Sequence, residues 1–304
     1  MSDWTVVIFY CSIPRSSNGA DMKASDMQRL TGEVAFITGG ASGIGLAMAG
    51  ALAREGMSIA IADIDEVRLD EAAALLRAES ATVLPIRLDV RDPDAWVRAI
   101  DTTEARLGPL VLLCNNAGVG LGPAATDEIA PADWQWLLDI NLGGVFLGVR
   151  AAVGRMKARG RGHIVNTSSI LGLFPKAHHA AYIAAKFAVV GLSEALRAEL
   201  APHGIGVTVL LPGLVRTAQS ASSRAQTAAS APDGGRPKPT GQAPKALGQV
   251  VVDAVRHNRL YAISHDEYRP VVEDRMRRLL DAFGTPPNEP EDILYLGHDS
   301  LNLS

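Results

Sequence analysis

Three residues of this chain have the types and spacing for proton transfer: Ser169, Tyr182 and Lys186. Tyr182 and Lys186 are four residues apart in an Ala- and Leu-rich stretch that predicts a helix, so both side chains fall on one face. A neighbouring ammonium group favours the phenolate, and we expect it to lower the pKa of Tyr182. Tyr182 is therefore a candidate general acid/base, with the Ser169 hydroxyl directed at the same substrate oxygen. Alone, this spacing is a weak signal, because it also occurs on ordinary helices.

A glycine-rich segment, VAFITGGASGIG at 34–45, lies upstream of these residues. Its apolar start predicts a buried strand, and an apolar helical pattern follows the glycines. This order suits a dinucleotide, because glycines let the backbone approach a pyrophosphate and the helix N-terminus offers free N–H groups. Asp63 ends the next predicted strand, where a carboxylate binds ribose hydroxyls and repels a 2′-phosphate. The glycine loop contains no Arg or Lys, so we predict NAD rather than NADP.

Seven motifs, in order over about residues 32–217, resemble those of the short-chain dehydrogenase/reductase family. They are TGGASGIG at 38–45, Asp63, LDV at 88–90, NNAG at 115–118, Asn141 in DINLGGVF, the Ser169, Tyr182 and Lys186 set, and LPGLVRT at 211–217. The glycine spacing is that of the single-domain branch and not of the sugar-nucleotide epimerases. The C-terminal part is more loosely similar to bacterial dehydrogenases of aryl ether alcohols.

The resemblance implies catalytic roles for Ser169, Tyr182, Lys186 and Asn141, with Asn141 positioning a water that links Lys186 to solvent. Cofactor contacts are implied for Tyr182 and Lys186 and for a further set: Gly39, Ser42, Gly43, Ile44, Gly45, Asp63, Asp89, Val90, Asn116, Pro212, Val215 and Thr217. The implied activity is NAD-dependent interconversion of a secondary alcohol and a ketone. Two alternatives stay open: an NADP-dependent carbonyl reductase, and a cofactor-binding scaffold or sensor without turnover. Family members pair through long helices, so a homodimer or homotetramer is expected.

Apolar runs and helical patterns alternate along the chain and predict one Rossmann-type, doubly wound parallel sheet with helices on both faces. The predicted strands are 34–38, 58–62, 82–87, 110–115, 162–167, 205–211 and 259–263. The predicted helices are 44–55, 66–79, 93–107, 131–158, 180–202, 243–257 and 268–282. Ligands of such a sheet bind at the carboxyl ends of its strands, where the motifs lie.

We predict a single domain over residues 31–284. Residues 1–30 are polar and turn-rich and are expected to form a disordered extension, within which Met22 or Met27 is a possible true start. Residues 218–245 are poor in bulky apolar side chains and follow Thr217 directly, so we interpret them as a substrate lid. Residues 285–304 are expected to form a loose tail.

Composition excludes several classes of function. The net charge of −4 is spread along the chain, which argues against nucleic acid or an anionic membrane as partner. Two cysteines do not make a disulfide framework, and no spaced ligand set predicts a metal site. No apolar run approaches membrane-spanning length, and WTVVIFY near the N-terminus lacks the features of a signal peptide. A cytoplasmic enzyme acting on a small alcohol or ketone is expected.

Leu171, Phe174 and His179 are the candidate substrate contacts, because they flank Ser169 and Tyr182 in the chain. Core packing for the first two, and an exposed loop position for His179, are the alternatives. An apolar or aromatic secondary alcohol is the predicted substrate. Trp134 and Trp136 are two residues apart and cannot share a helix face, so one is expected to be in the core and the other on the surface or at a subunit interface.

Overall fold

A computed structural model describes residues 27–215 and 241–283 of the chain. Seven parallel strands form one sheet in the order β3-β2-β1-β4-β5-β6-β7. The strands are β1 Val34–Thr38, β2 Ser58–Asp63, β3 Val83–Arg87, β4 Leu110–Asn115, β5 Gly162–Thr167, β6 Ile205–Leu211 and β7 Tyr261–Ile263. The strand order reverses between β1 and β4, and this switch point opens a crevice at the carboxyl ends. The predicted doubly wound parallel sheet is confirmed.

Eight α-helices surround the sheet in the described part of the chain. They are α1 Gly43–Arg54, α2 Glu66–Ala78, α3 Pro93–Leu107, α4 Pro131–Leu138, α5 Gly144–Arg159, α6 Ala180–Leu200, α7 Pro244–Arg256 and α8 Arg269–Asp281. One apolar cluster lies between the sheet and α1, α2 and α7, and a second lies between the opposite face and α3, α5 and α6. The sheet is thus covered on both faces.

Local sequence explains where these elements begin and end. All residues of β1, β4, β5 and β6 are buried, in keeping with the near-continuous apolar runs of a covered parallel sheet. Asp65 and Asp92 cap α2 and α3 by accepting hydrogen bonds from backbone N–H groups of the first turn. Gly160 ends α5 in a left-handed conformation that glycine adopts without strain.

The predicted boundaries lie within two residues of the observed ones, with one exception. The helix predicted over 131–158 is divided into α4 and α5 by a π-helical turn, Asp139–Gly143. Propensity does not reveal such a turn, because its residues remain helical and only the hydrogen-bond register widens. The turn contains Asn141, one of the predicted catalytic residues.

The helical run Pro131–Arg159 contradicts the expectation that no apolar run of this chain approaches membrane-spanning length. By length and composition it is able to cross a bilayer, since it has 29 residues and a mean hydropathy of 1.4 in its most apolar stretch. In this fold Val145, Val149, Ala152 and Met156 of the run are buried against the sheet and α3. The apolar side chains of this run therefore pack in the core between the helix and the sheet.

The predicted flanking segments fall largely outside the described residues. Of the 1–30 extension, residues 27–30 are described, and Met27 and Leu30 are buried in the core with 0% and 1% exposure. Of the 218–245 lid, residues 241–245 are described: Gln242 pairs with Val215 in an isolated bridge, and Pro244 begins α7. The 285–304 tail lies outside the described residues.

Candidate active site

A cleft of about 760 Å³ lies at the carboxyl ends of the strands. The loops after β1, β2, β3, β4, β5 and β6 all contribute to its wall. Most of the predicted site residues line it: Gly39, Ser42, Gly43, Ile44, Asp63, Asp89, Val90, Asn116, Ser169, Leu171, His179, Tyr182, Lys186, Pro212 and Val215. One continuous cavity therefore joins the glycine loop to the Ser169, Tyr182 and Lys186 set.

Three predicted residues lie elsewhere, and a fourth is not described. Gly45 and Asn141 are buried behind the wall of the cleft. Phe174 stacks on Tyr268, with 5.8 Å between ring centroids, and is not among the described residues that line the cleft. Thr217 lies outside the described residues.

The glycine loop has the close backbone packing that a bound pyrophosphate requires. Gly39 and Gly43 have φ values of 63° and 54°, which favour glycine. A Cβ on Gly45 would lie only 2.1 Å from the carbonyl oxygen of Gly39. The side chain of Ser42 forms no capping hydrogen bond at the start of α1, so the first N–H groups of that helix stay open to an anion.

Asp63 braces the glycine loop from the end of β2. Its Oδ2 accepts a hydrogen bond from the backbone N–H of Ala41 at 3.3 Å, and its Oδ1 accepts one from Asp65 at 3.2 Å. The carboxylate is thus held beside the first turn of the loop, where it lines the cleft.

Two arginines that sequence reasoning missed also line this end of the cleft. Arg68 pairs with Asp65 at 3.3 Å, and Arg91 pairs with Asp89 at 2.6 Å. The hydrogen bonds from Arg91 hold the pKa of Asp89 below its usual value. Our prediction of NAD considered cations within the glycine loop only, whereas these cations come from α2 and from the loop after β3. Each already has an acidic partner.

Lys186 is fixed at the floor of the cleft by the end of β5. Its Nζ donates a hydrogen bond to the carbonyl of Thr167 at 3.0 Å and lies 5.5 Å from the centroid of the Tyr182 ring. The residue is 3% exposed, and this burial lowers the pKa of the ammonium group to about 8. The Ser168 hydroxyl donates to the Lys186 carbonyl at 2.8 Å and so ties α6 to β5.

The environment of Tyr182 differs from the expectation based on sequence. Burial raises the pKa of the Tyr182 phenol, and a hydrogen bond with Ser169 opposes that rise only in part. The loss of solvent around the phenol has a larger effect on its pKa than the influence expected from Lys186. Burial also lowers the pKa of Lys186 itself. Burial therefore favours the neutral form of the Tyr182 phenol.

Ser169 is oriented by a short turn after β5. Its Oγ accepts a hydrogen bond from the backbone N–H of Leu171 at 3.1 Å. With a donor already directed at this oxygen, the hydroxyl proton is left to point toward Tyr182 and the cleft. Ser169 and Tyr182 thus lie together beside Lys186, and the Ser169 hydroxyl opposes the effect of burial on the pKa of the phenol.

The opposite part of the cleft is mainly apolar. Leu121, Pro123, Trp136 and Leu171 line it together with His179. Burial lowers the pKa of His179, and nearby Lys176 and His178 lower it further, so the ring tends to be neutral. Sequence reasoning did not assign Trp136 to the site. Trp136 and Ile140, four residues apart, both line the cleft, and only the folded chain shows this.

Within residues 27–215 and 241–283, no three His, Cys, Asp or Glu side chains group closely enough to hold a metal ion. The acidic side chains that line the cleft, Asp63, Asp65 and Asp89, are all engaged in hydrogen bonds with backbone or arginine N–H groups.

Comparison with known proteins gives consistent matches. The model of the family described as short chain dehydrogenase matches residues 33–228. A 3-alpha-(or 20-beta)-hydroxysteroid dehydrogenase from Mycobacterium tuberculosis is 44% identical over 190 residues, covering 62% of this chain and 71% of the relative. A C alpha-dehydrogenase from a Sphingobium species is 34% identical over 279 residues, covering 87% and 91%. A short chain dehydrogenase/reductase from Burkholderia phymatum, solved in complex with NAD, is 30% identical with a TM-score of 0.76, covering 86% and 99%.

Proposed function

This chain belongs to the short chain dehydrogenase family, and from that premise we propose that it interconverts a secondary alcohol and a ketone with NAD as the hydride carrier. The observation that carries the proposal is the position of Ser169, Tyr182 and Lys186 in the same cleft as the glycine loop. A general acid/base and a dinucleotide site in one cavity are what alcohol oxidation requires. The relatives named above, each of them named as a dehydrogenase, support the reaction class.

The residues present fit a dinucleotide. The approach of Gly45 to the Gly39 carbonyl leaves no room for a side chain, so the loop is shaped for contact by backbone alone. The open N-terminus of α1 would bind the pyrophosphate, and the Asp63 carboxylate would accept hydrogen bonds from ribose hydroxyls. Lys186 and Asn116 also line the cleft, where they would hold the nicotinamide half of the cofactor. The bound cofactor would supply the hydride acceptor for alcohol oxidation and, in its reduced form, the hydride donor for ketone reduction.

Tyr182 moves the proton in this mechanism. As a neutral phenol it would donate its proton to the carbonyl oxygen during ketone reduction, and as the phenolate it would accept the hydroxyl proton of the alcohol in the reverse direction. Ser169 donates a second hydrogen bond to the same oxygen and stabilises the charge that develops there. Lys186, fixed by Thr167, supplies the positive charge that favours the phenolate once the proton has left.

The lining of the cleft supports a neutral, ring-bearing alcohol as substrate. The Asp and Arg side chains that line the cleft come from the end of β2, from α2 and from the loops after β2 and β3, whereas Leu121 and Trp136 come from the loop after β4 and from α4. Trp136, Leu121 and Tyr182 also belong to one apolar cluster with Leu137 and Ala181. A flat apolar ring would bury surface there at roughly 25 cal/mol per Å². The hydroxysteroid dehydrogenase relative is named for a ring-bearing alcohol.

NADP remains a second candidate cofactor, because Arg68 and Arg91 line the cleft near Asp63. We favour NAD because each arginine is already paired with an acid and Asp63 would face the 2′-phosphate. We also propose a homo-oligomer, since α5 exposes Phe146 at 53% in the isolated chain. Light scattering on the purified protein tests that state.

The proposal is tested by NADH formation from NAD over a panel of cyclic, aryl and aliphatic secondary alcohols, with NADP in parallel. Tyr182→Phe is expected to lower turnover by at least about a hundredfold, the lower end of general acid–base contributions, while NADH still binds. Tyr261→Phe is the matched control, because the Tyr261 hydroxyl donates a hydrogen bond to Glu194 on the surface, away from the cleft. This variant should keep full activity. Near-normal activity of Tyr182→Phe would reject the mechanism. NADH binding without turnover of any substrate would favour a scaffold or sensor.

A further inference from the structure

His265 lies near the end of the described chain, two residues after β7, and touches the wall of the cleft. It is 7% exposed, and its Nδ1 lies 3.0 Å from the backbone nitrogen of Gly213. An N–H group only donates, so Nδ1 is the unprotonated acceptor and the ring proton is on Nε2. The hydroxyl of Ser264, 2.7 Å from the same nitrogen, is then a second donor to it.

This contact continues the sheet beyond its last strand pair. Strands β6 and β7 pair at Val209 with Tyr261, Leu210 with Ala262 and Leu211 with Ile263. If that register continued, Gly213 would lie opposite His265, two residues beyond the last pair. The strand pairing itself stops at Leu211 and Ile263. The imidazole nitrogen there accepts the hydrogen bond that a strand carbonyl would otherwise accept.

The Pro212–Gly213 peptide group is consequently held from both sides. Its carbonyl oxygen accepts a hydrogen bond from the N–H of Ile170 at 2.8 Å, and its N–H donates to His265. Ile170 directly follows Ser169, the predicted catalytic residue. The same peptide group thus connects the loop that carries Ser169 to the segment after β7, and Pro212 and Gly213 both line the cleft.

Close packing reinforces these two hydrogen bonds. A Cβ on Gly213 would lie 2.5 Å from the His265 ring and 2.8 Å from the Tyr268 ring, so glycine is needed here for space. Tyr268 in turn stacks on Phe174 in the loop after Ser169. Phe174, predicted as a substrate contact, thus links the loop after Ser169 to the segment after β7.

We propose that His265 is a positioning residue that fixes the Pro212–Gly213 peptide group, and with it the wall against which the nicotinamide end of the cofactor rests. The proposal rests on the proposed function for the identity of the ligand. Its physical basis is independent of turnover, because it is a single hydrogen bond between a side chain and a backbone N–H. Loss of that acceptor frees the peptide group to rotate and leaves a part-buried N–H without its partner.

Two substitutions separate the hydrogen bond from simple space filling. In His265→Asn, the amide oxygen occupies about the place of Nδ1 and still accepts from Gly213. In His265→Gln, the amide lies about where Nε2 was, so a similar volume is kept without the acceptor. We expect His265→Gln to weaken NADH binding about tenfold, which corresponds to about 1.4 kcal/mol. His265→Asn should stay within about threefold of the wild type, and so should Ser264→Ala, which removes only the second donor.

Amide hydrogen exchange gives a readout that needs neither cofactor nor turnover. Gly213 should be protected in the wild type and in His265→Asn, and should exchange faster in His265→Gln. Equal NADH affinity of the Asn and Gln variants, or fast exchange of Gly213 in the wild type, would overturn the proposal. If His265→Gln does not fold, wild-type exchange and the Asn variant decide the question. Failure of the wild type to bind NADH, with Gly213 protected, would reject the proposed function and leave the positioning contact intact.

Discussion

The side chain of Asn141 forms both of its hydrogen bonds in this structure with the backbone of one residue, Val119. Its Oδ1 accepts from the Val119 N–H at 2.7 Å, and its Nδ2 donates to the Val119 carbonyl at 2.9 Å. Asn141 is fully buried in the π-helical turn, and Val119 lines the cleft in the loop after β4. The side chain of Asn141 therefore holds the loop after β4, and the water-positioning role that the family resemblance implies for this residue stays a prediction.

Replacing Asn141 with Ala should therefore reduce both stability and turnover. Two backbone groups of Val119 would lose their partner, at a cost of about 1–3 kcal/mol in the free energy of unfolding. Urea unfolding measures that cost, and initial rates measure the effect on catalysis. Gln135→Ala is the control, because the Gln135 side chain donates a hydrogen bond to Asp139 on the exposed side of the same helical run. The control should change stability by less than about 0.5 kcal/mol. An Asn141→Ala protein as stable as the wild type would contradict this account.

Asp63→Ala should shift cofactor preference toward NADP. The substitution removes a cleft-lining carboxylate that accepts a hydrogen bond from the glycine loop and that we propose to bind the ribose, and it leaves Arg68 and Arg91 in the lining. We expect the ratio of kcat/KM for NAD to that for NADP to fall at least about tenfold. Asp65→Asn is the comparison, since it keeps an oxygen to cap α2 but weakens the ion pair with Arg68. An unchanged ratio in Asp63→Ala would mean that Asp63 serves only the loop and the turn at Asp65.

Lys186→Met should abolish turnover and yet increase stability at pH 7. The pKa of Lys186 is about 8 in the folded protein, below its ordinary value of 10.5, because the ammonium group is buried. The unfolded chain therefore binds this proton more tightly, and folding is disfavoured most below pH 8. The penalty diminishes by about 1.4 kcal/mol per pH unit as pH rises from about 8 to 10.5. The stability advantage of Lys186→Met should shrink over that range. Lys157→Met, at a surface ion pair, should show no such trend.

His163 should make the protein sensitive to acid. The ring is fully buried against Thr208, and burial, with a smaller contribution from Arg197, lowers its pKa to about 3. Below pH 6.5 His163 binds a proton in the unfolded chain but not in the native state. The free energy of unfolding therefore falls by about 1.4 kcal/mol per pH unit because of this group. His163→Gln, which keeps a polar atom near Thr208, should flatten the acid limb in urea titrations between pH 6.5 and 4.5. His257→Gln, at an exposed position, should leave the limb unchanged.

Much of the fold and of the site was predictable from sequence because the relevant signals are local. The burial of β1, β4, β5 and β6 follows from continuous apolar runs, and α2 and α3 begin where Asp65 and Asp92 provide caps. Parallel strands bring their carboxyl ends to one edge, so motifs that follow strands had to meet there. The separation of Tyr182 from Lys186 by one helical turn needed only the period of the helix.

Other features depend on contacts between distant parts of the chain. The raised pKa of Tyr182 follows from burial, which the spacing to Lys186 does not reveal. Arg68 and Arg91 reach the cofactor end from outside the glycine loop, and Asn141 meets Val119 only because a π-helical turn places them together. His265 reaches Gly213 through the register of β6 and β7, at a sequence separation of 52. Sequence determines which residues are able to do chemistry, whereas desolvation and hydrogen-bond partners arise only when the chain is packed, because both depend on what surrounds each group in space.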